Sequence, residues 1–200
     1  MTDSNAVRRN LRAQIAIILR NTCSAAIDFY LAGVRVNGFY LLDVAQAVEG
    51  YQGRASRLYP IRVVVNPAVR RHQHYDAMYH GGSNVFTFAS QTISGDHEEA
   101  LVVHEAVHAS FDIRSVRLRQ VDNEAAAYLA QAIYYLNKGN PAPTNPRPIF
   151  AAAYDLAHSV RRGFENVTES AARPLRQAIL SAPNYQHIRG HVTHGDGIAG

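Results

Sequence analysis

Apolar and polar positions change period several times along the chain. From residue 4 to residue 31 apolar side chains recur at helical spacing, with Leu11, Ile15, Ile18, Ala25 and Phe29 on one face and Ser4 or Asn5 as caps. This pattern predicts one long N-terminal helix over 4–31. A shorter helix is expected around "LLDVAQAVEGY", ending near Gly50 or Gly53. The period then shortens. "YPIRVVVNP" is β-branched and bounded by prolines, so a strand is expected. "DAMYHGGSNVFTFAS" predicts a hairpin, two strands joined at Gly-Gly-Ser.

Helical spacing returns over 96–111, with Asp96 as the expected cap and Glu98 and Glu99 in the first turn, where the helix dipole favours negative charge. Another helix is expected from about Arg119 to Leu136, ended by Gly139 and "GNPAPTNPRP". "IFAAAYDLAHSVRR" and "ESAARPLRQAILSA" predict two more, the second disturbed or begun at Pro174. The tail "HIRGHVTHGDGIAG" shows no period and is expected to be mobile at its end. With no internal repeat and no clear boundary, the 200 residues are expected to form one α+β domain: an N-terminal helix, a small twisted sheet with a hairpin, and a mostly helical remainder.

Composition narrows the function classes. An 18% charged and 47% hydrophobic chain belongs with folded proteins. The net charge of +4 comes from arginine, since Lys138 is the only lysine. The pairs Arg8-Arg9, Arg70-Arg71 and Arg161-Arg162 are scattered and not interleaved with aromatics, so no nucleic-acid surface is expected. The one cysteine, Cys23, rules out an internal disulfide and a cysteine zinc cluster, and is expected to be a buried apolar group. "AQIAIIL" after arginines is too short and too soon interrupted by Arg20 for a signal peptide, and nothing reaches the ~18 apolar residues of a membrane span, so a cytoplasmic protein with no membrane partner is expected. "NVT" at Asn166 is read as a coincidental sequon. Oligomeric state is left open by the sequence.

The chemistry concentrates in "EEALVVHEAVHASFD". On a helix, positions i and i+4 share a face, so His104 and His108 can aim at one point and hold one zinc ion. Glu105 is rotated by about 100° from His104 and can reach a water that the ion activates, taking its proton as the water attacks a carbonyl and passing it to the leaving amine. Two histidines and a glutamate in an apolar helix are costly to bury without a partner, and a metal supplies one.

Catalytic zinc takes three protein ligands. Sixteen residues after His108 comes Glu124, within "VDNEAAAYLAQA", where Asp122 and Glu124 are both candidates. The wheel puts Asp122 nearer than Glu124 to the centre of the apolar face defined by Val121, Ala125, Leu129, Ala132 and Leu136; one or both carboxylates can instead cap the helix or pair with arginine, the reading favoured for Asp122.

"HEAVHASFD" followed by "NEAAAYLA" resembles the active-site core of the gluzincin metallopeptidases, the thermolysin-like group, over roughly residues 75–136. The resemblance implies a zincin-like fold of compact type, zinc as cofactor, His104, His108 and Glu124 as metal ligands and Glu105 as catalytic base. It implies a structural or supporting role for Asp112. It also likens "NVFTF" to the edge strand beside which such enzymes bind extended peptide. The chain departs from the family in its shorter spacing between ligand helices and in Tyr128, which stands where an aspartate often orients a zinc-bound histidine.

Candidates for the oxyanion donor are Tyr128, Tyr154, His158, His187, His191 and His194, while His72, His74, His80 and His97 fall in no usable pattern. The implied function is a zinc metallopeptidase acting on a peptide or protein substrate. The alternative is a catalytically inactive zinc-binding or protease-derived partner-binding module, against which the presence of Glu105 weighs.

Overall fold

A computed structural model describes residues 4–50, 60–68, 76–161, 166–188 and 191–194. The pair Arg70-Arg71, His72, His74 and the last residues of the tail lie outside the described residues. The architecture is α+β.

The first expected helix divides in two. Helix α1 spans Ser4–Arg20 and a single turn, α2, spans Thr22–Ala25. Asn21 separates them: its side chain accepts from the Ser24 N–H at 2.9 Å and so caps a new helix instead of continuing the old one. Phe29 then belongs to a strand. β1 (Asp28–Leu31) and β2 (Val34–Asn37) form an antiparallel hairpin. Ala32 and Gly33 between them both have positive φ, 51° and 79°, as a tight two-residue hairpin turn requires. The alternation of Phe29, Leu31 and Val36, all buried, mimicked helical spacing only when read together with α1.

Helix α3 (Gly38–Glu49) follows directly, capped by Asn37 and ended by Gly50 at φ 70°. β3 (Arg62–Val65) falls in the proline-bounded run. The predicted hairpin is present: β4 (Ala77–His80) pairs antiparallel with β5 (Val85–Phe88) around a 3-10 turn at Gly81–Ser83. β5, however, is not an edge strand. The sheet order is β3-β5-β4, with β3 parallel to β5, and all four β5 residues are buried. The long-range partner β3 covers the edge that the hairpin alone would leave open, so β4 is the strand that borders the cleft described below.

Helix α4 (Asp96–Ile113) carries the histidine motif, and helix α5 (Gln120–Asn137) carries the candidate carboxylates. Gly95, at φ 81°, takes the N-cap position of α4. Asp96 accepts from Asn140 Nδ2 at 2.8 Å and pairs with Lys138 instead of capping. Helix α6 spans Pro148–Val160, and after the short strand β7 (Asn166–Val167) helix α7 (Glu169–Ser181) runs through Pro174 instead of starting there, with Thr168 as its cap. The tail is not wholly irregular: a 3-10 turn at Pro183–Ile188 leads to β8 (Val192–His194), which pairs antiparallel with β6 (Arg117–Arg119).

One continuous buried cluster joins Leu11, Ile15 and Leu19 of α1, Leu41 and Val44 of α3, Phe86 of β5, Val102, Val103 and Val107 of α4, and Ala125, Leu129 and Ile133 of α5. Helices α4 and α5 therefore lie inside the molecule, which fixes the polar groups they carry. Among the described residues no helix is long and apolar enough to cross a membrane.

The approach of α3 to α2 leaves no room for a side chain at Gly38, where a Cβ would lie 2.7 Å from Ala25 Cα and 2.9 Å from its carbonyl oxygen. Gly38→Ala should therefore destabilise the fold by about 1–3 kcal/mol, the usual cost of overpacking, read as a lowered midpoint in urea denaturation with an unchanged slope.

Candidate metal centre

The two histidines of α4 meet as the i, i+4 spacing requires. His104 and His108 Nε2 stand 3.2 Å apart, with the rings edge to face at 4.9 Å between centroids. Their outer nitrogens each face an amide oxygen on α5: His104 Nδ1 donates to Gln131 Oε1 at 3.1 Å, and His108 Nδ1 to Asn123 Oδ1 at 2.6 Å. With the proton held on Nδ1, each ring presents a lone pair at Nε2 toward the same point. Glu124 closes the group, Oε2 at 3.7 Å from His104 Nε2 and Oε1 at 3.8 Å from His108 Nε2.

Three acceptors thus converge at one buried spot. The Glu124 Oε2 atom is buried and has no hydrogen-bond partner, a situation that a native structure rarely tolerates unless something charged fills it. Two nitrogens bound at 2.0–2.1 Å to one tetrahedral ion lie about 3.3–3.4 Å apart, close to the 3.2 Å found. His104, His108 and Glu124 together can hold a metal ion, their donor atoms all lying within 4.8 Å of one another. Burial works against the Glu124 charge, but His108, His104 and the Tyr185 hydroxyl outweigh it and hold its carboxyl below the ordinary value.

Asp122 is engaged elsewhere. It is 2% exposed and lies between two guanidinium groups, accepting from Arg119 Nε at 2.6 Å and from Arg176 Nε of α7 at 2.5 Å. Its role is the arginine pairing, with Arg176 supplied by α7, and it stands outside the group of donor atoms that converge.

Glu105 is 7% exposed, and its Oε2 accepts the Tyr79 backbone N–H of β4 at 2.7 Å. Burial pushes its carboxyl up to about 7, against the pull of His108 and the Tyr79 N–H. Asp112, at the far end of α4, reaches the same strand: the Tyr79 hydroxyl lies 2.7 Å from Asp112 Oδ2 and 2.7 Å from Asn84 Oδ1. One residue of β4 therefore links Asp112 and Glu105, two turns apart, and sets the strand against the helix. The role expected for Asp112 is structural in this sense.

Tyr128 packs edge-on against the His104 ring at 4.5 Å, and its hydroxyl lies 2.9 Å from that of Tyr185. Where an aspartate would orient a histidine in the thermolysin-like pattern, Tyr128 packs on the ring's face and Gln131, one turn further along α5, takes the hydrogen bond. Tyr154 is buried and borders the cleft, whereas His158 and His191 are exposed and stand outside its lining. The side chains of His187 and His194 lie outside the described residues.

His104, Glu105, His108, Asp112, Glu124 and Tyr128 line one cleft of about 1100 Å³, bounded by Ala77–Tyr79 of β4, the facing sides of α4 and α5, Ile149 and Phe150 of α6, and Tyr185. Gln131 and Tyr185 carried no pattern in the sequence. Gln131 follows Glu124 by seven residues, hence on the same helix face, and that spacing was the one signal that could have found it. Comparison with protein-family models, with curated proteins and with solved structures finds no match to the chain.

The two carboxylates of α5 should separate cleanly on substitution. Asp122→Ala takes from the buried Arg176 its buried partner, leaving only the exposed Glu169, and should lower the stability of the metal-free protein by about 3–5 kcal/mol. Glu124→Ala removes the partnerless Oε2 together with a charge that His108, His104 and the Tyr185 hydroxyl favour; it should cost less stability than Asp122→Ala while abolishing metal retention, as read by urea denaturation and metal analysis of dialysed protein.

Glu105 gives a pH signature. Its folded value of about 7 exceeds its ordinary 4.5, so between these pH values the folded state binds more protons than the unfolded state, and stability falls as pH rises. The metal-free wild type should lose up to roughly 3 kcal/mol across that window and level off above it. In Glu105→Gln that decline should vanish from the denaturation midpoints.

Proposed function

We propose that the chain is a zinc-dependent metallopeptidase with a zincin-like active site, in which His104, His108 and Glu124 would hold the ion and Glu105 is the general base. The observation that carries this reading is the orphaned Glu124 Oε2 facing two imidazole lone pairs with a second carboxylate, Glu105, one residue from the first histidine and lining the same open cleft. A purely structural site would be served by the three ligands alone.

Zinc held there supplies Lewis acidity, which makes a water molecule more acidic and polarises a carbonyl oxygen. The protein's own groups do the rest. Glu105 is held at one oxygen by the Tyr79 N–H, so its position relative to the cleft is set by β4 and not by its own rotamers. Its burial leaves it with a proton affinity suited to exchange near neutral pH. It takes a proton as the water oxygen bonds to the peptide carbonyl carbon, then gives that proton to the amine nitrogen as the C–N bond breaks. Gln131 and Asn123 hold the imidazoles in the Nδ1–H tautomer that leaves Nε2 free for ligation. The outer edge of β4, the strand that carries Tyr79, is where an extended substrate lies.

Glu105→Gln keeps the Tyr79 contact and every ligand. It should retain stoichiometric zinc and lose hydrolysis of a peptide library by at least about a hundredfold, the lower range for removal of a general base, with fragments read by mass spectrometry. A variant as active as wild type would remove Glu105 from the chemistry. Stoichiometric zinc in a wild type that cleaves no peptide would favour the non-catalytic module instead.

A further inference from the structure

His104 and His108 each have an amide partner on α5, the helix that also carries Glu124. Glu124 itself meets a group from another part of the chain. The 3-10 turn Pro183–Ile188 brings Tyr185 to the cleft wall. There its hydroxyl lies 2.9 Å from the Tyr128 hydroxyl and within reach of the Glu124 carboxylate. A phenol has one proton to give. With Tyr128 donating to Tyr185, the Tyr185 proton is directed to Glu124, and the run Tyr128–Tyr185–Glu124 is satisfied in one sense only.

Backbone pairing holds the turn in place. The His191 N–H donates to the Ile188 carbonyl at 3.1 Å, and the His191 carbonyl accepts the Gln120 N–H at 2.8 Å. β8 then pairs with β6, which leads straight into the first turn of α5. The segment that delivers Tyr185 is thus fastened to the same helix start that presents Asn123 and Glu124.

We propose that Tyr185 is a positioning residue for Glu124, its hydroxyl turning the carboxylate toward His104 and His108, and that the β6–β8 ladder keeps it docked. This rests on the metal-site reading given above. Glu124 has three rotatable bonds and an apolar helix around it, and an outer hydrogen bond is what selects one orientation of such a ligand.

The test uses the full chain, with zinc affinity measured against a chromophoric chelator, the visible spectrum of the cobalt-loaded protein, and the melting temperature of the metal-free protein. Tyr185→Phe keeps the ring and removes the hydroxyl. It should lower zinc affinity by about 10–100-fold, the range for loss of an outer partner of a ligand. It should also shift the cobalt bands and leave the metal-free melting temperature unchanged. Opposed residues of an antiparallel pair alternate in hydrogen bonding. Since Gln120 and His191 are bonded, Leu118 and Thr193 are as well, and Thr193→Pro removes that N–H. It should give a smaller affinity loss of the same sign, and wild-type affinity in this variant would overturn the ladder's part. Unchanged affinity and a superimposable cobalt spectrum in Tyr185→Phe would overturn the role of Tyr185 alone. A wild type that binds no zinc would overturn the metal site and this proposal together.

Discussion

Everything around the site depends on how α4 and α5 bury polar groups between them. Two imidazoles and a carboxylate lie on the inner faces of helices otherwise filled by alanine, valine and leucine. Each imidazole satisfies its outer nitrogen on an amide of the opposite helix, and that satisfaction fixes the direction of the inner lone pair. Low-dielectric surroundings make an unpaired acceptor expensive, so three acceptors facing one another define a place for a cation. The two-helix packing is thereby a chemical device as well as a core.

The β4 strand supplies what the helices lack. Its Tyr79 gives a backbone N–H to Glu105 and brings a hydroxyl to Asp112, so Glu105 is held by a neighbour outside its own helix. α7 plays a corresponding part for α5, since Arg176 holds Asp122 in the first turn. The site is braced from the sheet on one side and from the C-terminal helix on the other. The cleft is lined by β4 and by Ile149 and Phe150 of α6.

How much of this could be read from the sequence follows from the range of each interaction. His104, Glu105 and His108 were legible because a helix fixes i, i+1 and i+4 with no help from the rest of the chain. Glu124 was distinguishable from Asp122 only through a family resemblance, because the choice is made by Arg176, more than fifty residues away. The period of α5 puts Gln131 on the face of Glu124 but does not say which histidine it meets, and Tyr185 depends on packing of the tail against the cleft, which no local period encodes. The break at Asn21 was hidden because the apolar spacing of α1 runs on into the β1 strand. The central place of β5 was hidden because its second partner, β3, lies well before the hairpin.

The enclosure of Asp122 also shapes the field at the imidazoles. Asp122 and Glu124 are two residues apart, so their side chains leave α5 on nearly opposite sides. Arg119 and Arg176 cancel the first charge within a few ångströms. The imidazoles therefore face the charge of Glu124 and, when it is ionised, that of Glu105, while the charge of Asp122 is screened from them by its two arginines. A divalent ion held by His104, His108 and Glu124 would be balanced by the Glu124 and Glu105 carboxylates, with Asp122 adding nothing to that count.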